Sequence, residues 1–142
     1  ARWDADVSAH NPDIVFCMIG INDVWRHFDY LEDSSRWLSE DDYRANLKKM
    51  VEKSKGFYEL VLLTPYYMES NRSDEMRLMT DRDSEIVRKT GAEYKLHVID
   101  TQARFDKYMK SRPGQSISWD RVHPGAVGSV LLADEILKFL ES

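Results

Sequence analysis

Two polar side chains near the carboxyl terminus have the spacing of a catalytic acid–base pair. In Asp120-Arg121-Val122-His123-Pro124, an aspartate lies three residues before a histidine, just ahead of an apolar segment. The aspartate can accept the Nδ1 proton of the imidazole, which fixes the tautomer and leaves Nε2 to act as a general base. On spacing alone, a helix-capping aspartate beside a surface histidine is an equally good interpretation.

A second candidate is Gly20-Ile21-Asn22-Asp23, which follows an apolar run. A glycine at the end of a buried strand allows the backbone to turn sharply. Asn22 can then direct its amide into a cleft and donate a hydrogen bond to a developing oxyanion. Taken alone, the motif is better explained as an Asn/Asp turn without a chemical role, because such turns are common.

Three apolar runs and the segments between them must position these side chains. The runs are continuously apolar, which is typical of strands buried on both faces of a parallel sheet. They cover residues 14–19, 60–63 and 96–99. Helical spacing predicts helices over about 2–10, from Ser39 onward, over about 76–87 with an end at Gly91, around 105–109, and from Pro124 onward. The apolar stripe of the last helix comprises Val127, Val130, Leu131, Leu137 and Leu140.

Strands that alternate with helices predict a three-layer α/β/α fold with a parallel sheet and right-handed crossovers. In such sheets, ligands bind beyond the carboxyl ends of the strands. We therefore expect the loops at 20–26, 64–67, 100–101 and 116–123 to meet at one edge of the sheet. The two polar motifs would then face the same cleft.

Composition excludes several classes of function. The 142 residues fit one domain, and a net charge of -5 argues against nucleic acid as the main partner, since phosphate binding needs a basic surface. No apolar run reaches the roughly 18 residues of a membrane span. The single cysteine, Cys17, excludes an internal disulfide and is compatible with a reducing compartment. Because His10 and His27 lack metal-ligand spacing with each other or with Cys17, we expect no metal. We also expect no cofactor.

Together, the two motifs resemble those of the SGNH (GDSL-type) hydrolase superfamily, and further segments are similar to one bacterial esterase branch. Those segments are Asn11-Pro12-Asp13, Ile19 to Trp25, Leu63 to Tyr67, Val98 to Thr101 and Trp119 to Pro124. The resemblance implies a flavodoxin-like SGNH hydrolase fold. It also implies an ester hydrolase that acts on small acyl esters, with acetylated carbohydrates as one candidate class.

The resemblance also implies roles for individual residues. Asn22 looks like the oxyanion-hole asparagine of the family, His123 like its general base, and Asp120 like the carboxylate that orients the base. The implied chemistry is acyl transfer to a serine, followed by hydrolysis of the acyl-enzyme. At the same edge, Trp25, Tyr66 and Trp119 are candidates for substrate binding through their aromatic faces, with loop packing as the alternative.

Two elements of the family pattern are absent from the sequence. The family carries its nucleophile in a Gly-Asp-Ser segment, and a second block supplies an oxyanion-hole glycine, but no serine here follows Gly-Asp after an apolar strand. We therefore expect residues 1–142 to be a single, N-terminally truncated SGNH domain with almost no hydrolytic activity of its own. The alternative is a non-catalytic, degenerate SGNH-like module. A flavodoxin-like nucleotide binder would need a glycine-rich phosphate loop, which the sequence lacks.

The absent segment has a consequence for the partners of this chain. In the family, the serine-bearing strand is internal to the sheet, so its loss would leave strand 14–19 with an unpaired apolar edge. Such an edge invites pairing with another chain. We therefore expect a homo-oligomer formed through this edge, in addition to a small-molecule ester as substrate.

Overall fold

The computed structural model describes residues 2–29 and 31–142, in which helices alternate with three strands. The helices are α1 (Trp3–Asp6), α2 (Ile21–Asp29), α3 (Glu40–Ser54), α4 (Glu75–Tyr94), α5 (Thr101–Met109) and α6 (Ala126–Leu140). The strands are β1 (Ile14–Met18), β2 (Glu59–Leu63) and β3 (Val98–Ile99). Short 3-10 turns lie at Ser8–His10, Ser34–Arg36 and Gly114–Ser116. No helix in the described ranges has the length and apolar character needed to cross a bilayer.

The strands form one parallel sheet in the order β1-β2-β3. In its register, Ile14 lies opposite Glu59 and Met18 opposite Leu63, while Leu62 lies opposite Val98. The predicted α/β class and parallel sheet are confirmed, although β3 is shorter than the apolar run that predicted it. On its outer side, β1 pairs with no strand of the described chain.

Helices cover both faces of the sheet. On one face, Cys17, Leu60 and Leu62 pack against apolar side chains of α3 and α4. On the other face, Val61, Leu63 and Ile99 pack against Ile136 and Phe139 of α6. The continuous apolar character of the strands follows from this double coverage. The core therefore lies in two layers, one on each side of β2.

Two helix boundaries show how far local rules reach. α3 begins as predicted, because the Ser39 hydroxyl accepts a hydrogen bond from the backbone N–H of Asp42 at 3.1 Å. The prediction that Gly91 ends α4 is wrong, since the helix continues to Tyr94. A Cβ on Gly91 would lie 2.1 Å from the Val98 side chain, so this glycine permits close packing of α4 against β3.

The predicted apolar stripe of α6 is only partly buried. Leu131 is buried, whereas the remaining four members are exposed: Val127, Val130, Leu137 and Leu140. The helix begins at Ala126, and its packed face carries Leu131, Ile136 and Phe139. α6 is thus apolar on two sides, and the described residues cover only one of them.

Candidate active site

Asn22 and Trp25 lie on helix α2, not in the loop that the sequence predicted for residues 20–26. Gly20 makes this abrupt strand-to-helix turn with φ +122, and its carbonyl accepts hydrogen bonds from the N–H groups of Asp23 and Val24 at 2.9 and 3.0 Å. A Cβ on Gly20 would lie 2.8 Å from the Tyr43 hydroxyl. Both the backbone conformation and the available space therefore require glycine at the carboxyl end of β1.

Asp120 and His123 are in direct contact in the loop that precedes α6, defined here as the His123 loop (residues 117–125). His123 Nδ1 lies 2.6 Å from Asp120 Oδ2, as the spacing predicted. The ends of the loop are joined by a hydrogen bond of 2.7 Å from the Gly125 N–H to the Ile117 carbonyl. The pair is thus held in a closed turn at the start of the last helix.

The second oxygen of Asp120 is also occupied. Oδ1 accepts hydrogen bonds from the Ser118 hydroxyl at 2.8 Å, the Val122 N–H at 3.0 Å and the His123 N–H at 2.8 Å. Partial burial acts to raise the pKa of Asp120, but hydrogen bonds from the His123 side chain, from these two backbone N–H groups and from Ser118 outweigh it. The pKa of Asp120 therefore lies well below its usual range.

The ionised carboxylate determines how His123 can act. A carboxylate only accepts hydrogen bonds, so Nδ1 of His123 must be the donor in this contact. The proton on Nδ1 leaves Nε2 as the basic nitrogen of the neutral imidazole. Since the His123 side chain is 60% exposed, a reacting group can reach it from solvent.

Helix α2 and the His123 loop meet at the carboxyl edge of the sheet. The rings of Trp25 and His123 are in edge contact with centroids 5.6 Å apart, and beneath them Val24 and Val122 share one apolar cluster. Asn22 lies one turn before Trp25 and on the same face of α2. The structure therefore brings the asparagine, the tryptophan and the acid–base pair to one edge, as the topology predicted.

The other two aromatic candidates have different surroundings. Trp119 is 84% exposed and lies directly before Asp120, which leaves its ring open to a ligand. Tyr66 is only 4% exposed and packs against Phe105 with ring centroids 4.6 Å apart. Burial, with a smaller effect from the Asp120 charge, raises the pKa of Tyr66 to about 12. Tyr66 therefore packs in the core, in one cluster with Phe105 and Ile117, and its ring is closed off from solvent.

Ser118 is a site residue that the sequence did not identify. Its hydroxyl is buried and donates to Asp120, so it supports the carboxylate. The available signal was its position two residues before the aspartate, where a hydroxyl can reach back locally. Among the residues that the structure describes, no serine hydroxyl hydrogen bonds to Nε2 of His123.

A small cavity of about 130 Å³ is lined by residues of α2, α3 and α4, and its lining includes no residue of the His123 loop. Its polar lining includes Asp23, His27, Glu40 and Asp83. His27 Nε2 lies 3.1 Å from the Leu38 carbonyl oxygen, so this ring nitrogen has a hydrogen-bond partner within the chain. Across residues 2–29 and 31–142, no three His, Cys, Asp or Glu side chains are grouped to hold a metal ion. The cavity is therefore a separate, acidic feature of the α2–α4 interface.

The chain is similar to known proteins over most of its length. A sequence model of the GDSL-like Lipase/Acylhydrolase family matches residues 1–131. An acetylxylan esterase of Geobacillus stearothermophilus is 38% identical over 139 residues, which are 97% of this chain and 64% of that enzyme. The crystal structure of Axe2, an acetylxylan esterase from the same organism, matches 96% of this chain and 63% of its own, with a TM-score of 0.93 and 38% identity.

A third similar protein and a set of Axe2 variants add detail to this comparison. LAE5, an alpha/beta hydrolase enzyme from the metagenome of Lake Arreo in Spain, matches with a TM-score of 0.93 and 35% identity over 96% of this chain and 63% of LAE5. Catalytic mutants of Axe2 replace a serine, an aspartate or a histidine by alanine, and that aspartate and histidine are three residues apart. The chain spans less than two thirds of the length of these relatives.

Proposed function

This chain belongs to the GDSL-like lipase/acylhydrolase family, and on that premise we propose that it supplies the acid–base part of a serine esterase active site. The observation that carries the proposal is the contact between His123 Nδ1 and Asp120 Oδ2 at the carboxyl edge of the sheet. A carboxylate that holds one imidazole nitrogen while the other faces solvent is the arrangement needed to activate a hydroxyl nucleophile. Supporting it, Axe2 catalytic mutants change an aspartate and a histidine with the same spacing.

In the proposed reaction, His123 Nε2 removes the proton of a serine hydroxyl as the serine oxygen attacks the ester carbonyl. The Asn22 amide donates a hydrogen bond to the oxyanion of the tetrahedral intermediate. The imidazolium then returns its proton to the leaving alcohol, and an acyl-enzyme remains. In the second half, His123 removes a proton from water as the water oxygen attacks the acyl carbonyl. The bond to the serine oxygen then breaks, the imidazolium returns its proton to that oxygen, and the acid and the free serine are released. Throughout both steps, Asp120 stays ionised and stabilises the imidazolium.

The nucleophilic serine is proposed to lie outside these 142 residues. Ser118 is committed to Asp120, and no other described serine reaches Nε2 of His123. We accordingly expect the chain alone to hydrolyse esters at a rate close to background. A non-catalytic module is the second candidate, and it predicts the same result for the chain alone.

Small acyl esters, and acetylated xylo-oligosaccharides in particular, are the proposed substrates. The support is the similarity to acetylxylan esterases and two aromatic rings, one on α2 and one in the His123 loop. Trp119 presents an open ring within the His123 loop, and Trp25 contacts the imidazole itself. Flat aromatic faces of this kind can pack against a carbohydrate ring while the acetyl group reaches the base.

The direct test supplies a segment that carries the family serine ahead of this chain and measures hydrolysis of p-nitrophenyl acetate and of acetylated xylo-oligosaccharide. We expect activity that His123→Ala lowers by at least about 10³-fold, because removal of one triad member eliminates most of the catalysis. The matched control is His10→Ala, which removes an exposed histidine from another part of the molecule. No hydrolysis in the completed protein, or hydrolysis unaffected by His123→Ala, would favour the non-catalytic module.

A further inference from the structure

Arg121, between the aspartate and the histidine of the pair, has an unusual backbone conformation. Its φ of 67 lies in the left-handed region, which is unfavourable for a residue with a side chain. Two other described non-glycine residues share this region, Asn11 and Lys95, and both end a helical turn, where the conformation is common. Arg121 ends no helix. Its conformation turns the chain so that the Asp120 carboxylate faces both the imidazole and the backbone N–H of His123.

Contacts with the segment after β2 hold Arg121 in this conformation. Its carbonyl accepts a hydrogen bond from the Met68 N–H at 2.9 Å. Its guanidinium forms an ion pair with Glu69 and lies over the ring of Tyr67, 5.1 Å from the ring centroid. Three consecutive residues, from Tyr67 to Glu69, thus contact both the backbone and the side chain of Arg121.

That segment is itself fixed from the interior. Gln102 on α5 accepts from the Tyr67 N–H at 2.7 Å and donates to the Tyr67 carbonyl at 3.2 Å. The completely buried Arg77 donates to the Glu69 carbonyl at 2.5 Å and pairs with Asp106 through two further hydrogen bonds. The support for the His123 loop therefore runs back to a buried polar network between α4 and α5, whose groups are hydrogen bonded to one another.

We infer that Arg121 is a positioning residue, which Glu69 and Tyr67 hold so that the His123 loop keeps the imidazole on the Asp120 carboxylate. The inference rests on the proposed function, since the orientation of His123 matters for catalysis only if this histidine is the base. Its physical basis is that a locally unfavourable backbone conformation persists where surrounding contacts compensate for it. Without those contacts, the loop can relax and the imidazole can leave Asp120. Neutral histidine would then lose its preference for the Nδ1–H tautomer.

The test measures the tautomer of His123 in this chain by long-range ¹H–¹⁵N NMR at about pH 9, where an imidazole is neutral. Glu69→Gln is the decisive variant, because it keeps the shape of the side chain and the oxygen that accepts from the Asn71 N–H. We expect the ratio of Nδ1–H to Nε2–H tautomers to fall about three-fold, as fits the loss of a partly exposed ion pair. Arg121→Lys should keep most of the wild-type ratio, because it retains the charge opposite Glu69.

Arg121→Gly and Lys95→Gly form a matched pair, since each relieves one left-handed residue. Lys95→Gly should raise the melting temperature and leave the His123 signals unchanged. Arg121→Gly should lower the tautomer ratio even though it removes the same backbone strain. A wild-type tautomer ratio in Glu69→Gln would overturn the inference. This measurement does not depend on Arg121→Gly, so it decides the question even if that variant fails to fold. The spectra need neither substrate nor serine, so a failed ester assay would count against the proposed function alone.

Discussion

Asp83 on α4 should make the stability of this protein depend on pH in the direction opposite to most carboxylates. The residue is only 5% exposed and lines the cavity between α2, α3 and α4 together with Asp23 and Glu40. Burial raises the pKa of Asp83 from 3.8 to about 7, and the charges of Glu40 and Asp23 add to the effect while Arg82 opposes it. The folded protein therefore binds a proton at this site more tightly than the unfolded chain does.

The sign and size of the effect follow from this difference. The contribution of Asp83 to stability is complete below about pH 4 and is lost as the pH rises through about 7. The step from 3.8 to about 7 corresponds to at most about 4 kcal/mol, because one pKa unit corresponds to about 1.4 kcal/mol. Asp83→Asn has a similar shape and cannot ionise. It should match the wild type near pH 4 and exceed its free energy of unfolding by up to about 4 kcal/mol at about pH 8.

Urea unfolding of both proteins between about pH 4 and 8.5 measures this difference in the free energy of unfolding. The control is Glu85→Gln on the exposed side of the same helix, where the carboxylate pairs with Arg88 at 3.3 Å. That substitution should change stability by less than about 1 kcal/mol, because exposed ion pairs contribute little. A difference between Asp83→Asn and the wild type that stays constant with pH would refute the reasoning, as would a carboxyl titration of Asp83 near its ordinary value by ¹³C NMR.

Three further outcomes are expected. Asp120→Asn should cost about 2 kcal/mol of stability at neutral pH, since it removes hydrogen bonds to a charged group. The depressed pKa of Asp120 means that this stabilisation is present above about pH 4 and lost in more acidic solution, so acid urea titrations of variant and wild type should converge. Gly20→Ala should destabilise by about 1–3 kcal/mol in thermal unfolding, because it adds strain at φ +122 and a clash with a buried tyrosine. The control is Gly56→Ala, where φ is +78 and nothing lies within 4 Å of the new Cβ. This variant adds backbone strain without a clash, so it should lower the stability by less than Gly20→Ala does. Finally, we propose that the chain self-associates through the outer edge of β1. In sedimentation at micromolar concentration, Met18→Lys should convert the protein to a monomer. The control Phe57→Lys, at an exposed position in another region, should leave the oligomer intact. A monomeric wild type would contradict the proposal.

Local chemistry accounts for what could be predicted from the sequence. The three strands are visible as continuous apolar runs because both faces of the sheet are covered. Ser39 marks the start of α3 because a cap needs only the next few residues. The contact between Asp120 and His123 was within reach of the sequence for the same reason, since the two residues are three apart within one turn, although spacing alone favoured a capping aspartate beside a surface histidine equally. The family resemblance rests on these same segments, and it favoured an oxyanion-hole role for Asn22 over a simple turn.

Burial and long-range contacts were decided only by the tertiary structure. Tyr66 and Trp119 are both aromatic residues at the sheet edge, yet one lies in the core and the other is exposed, because only Tyr66 has Phe105 behind it. Likewise, α6 is apolar on two sides, but the sequence does not state which side of the helix faces the sheet.

The same distinction holds for charge and for backbone strain. Asp83 has a raised pKa because distant segments enclose it, and Arg121 keeps its left-handed conformation because Glu69, 52 residues away, holds its side chain. The sequence by itself singled out the candidate groups of the site, since these depend on residue type and on neighbours within one turn. The tertiary structure alone decided what holds those groups in place, because hydrogen bonding, burial and pKa depend on atoms that only folding brings together.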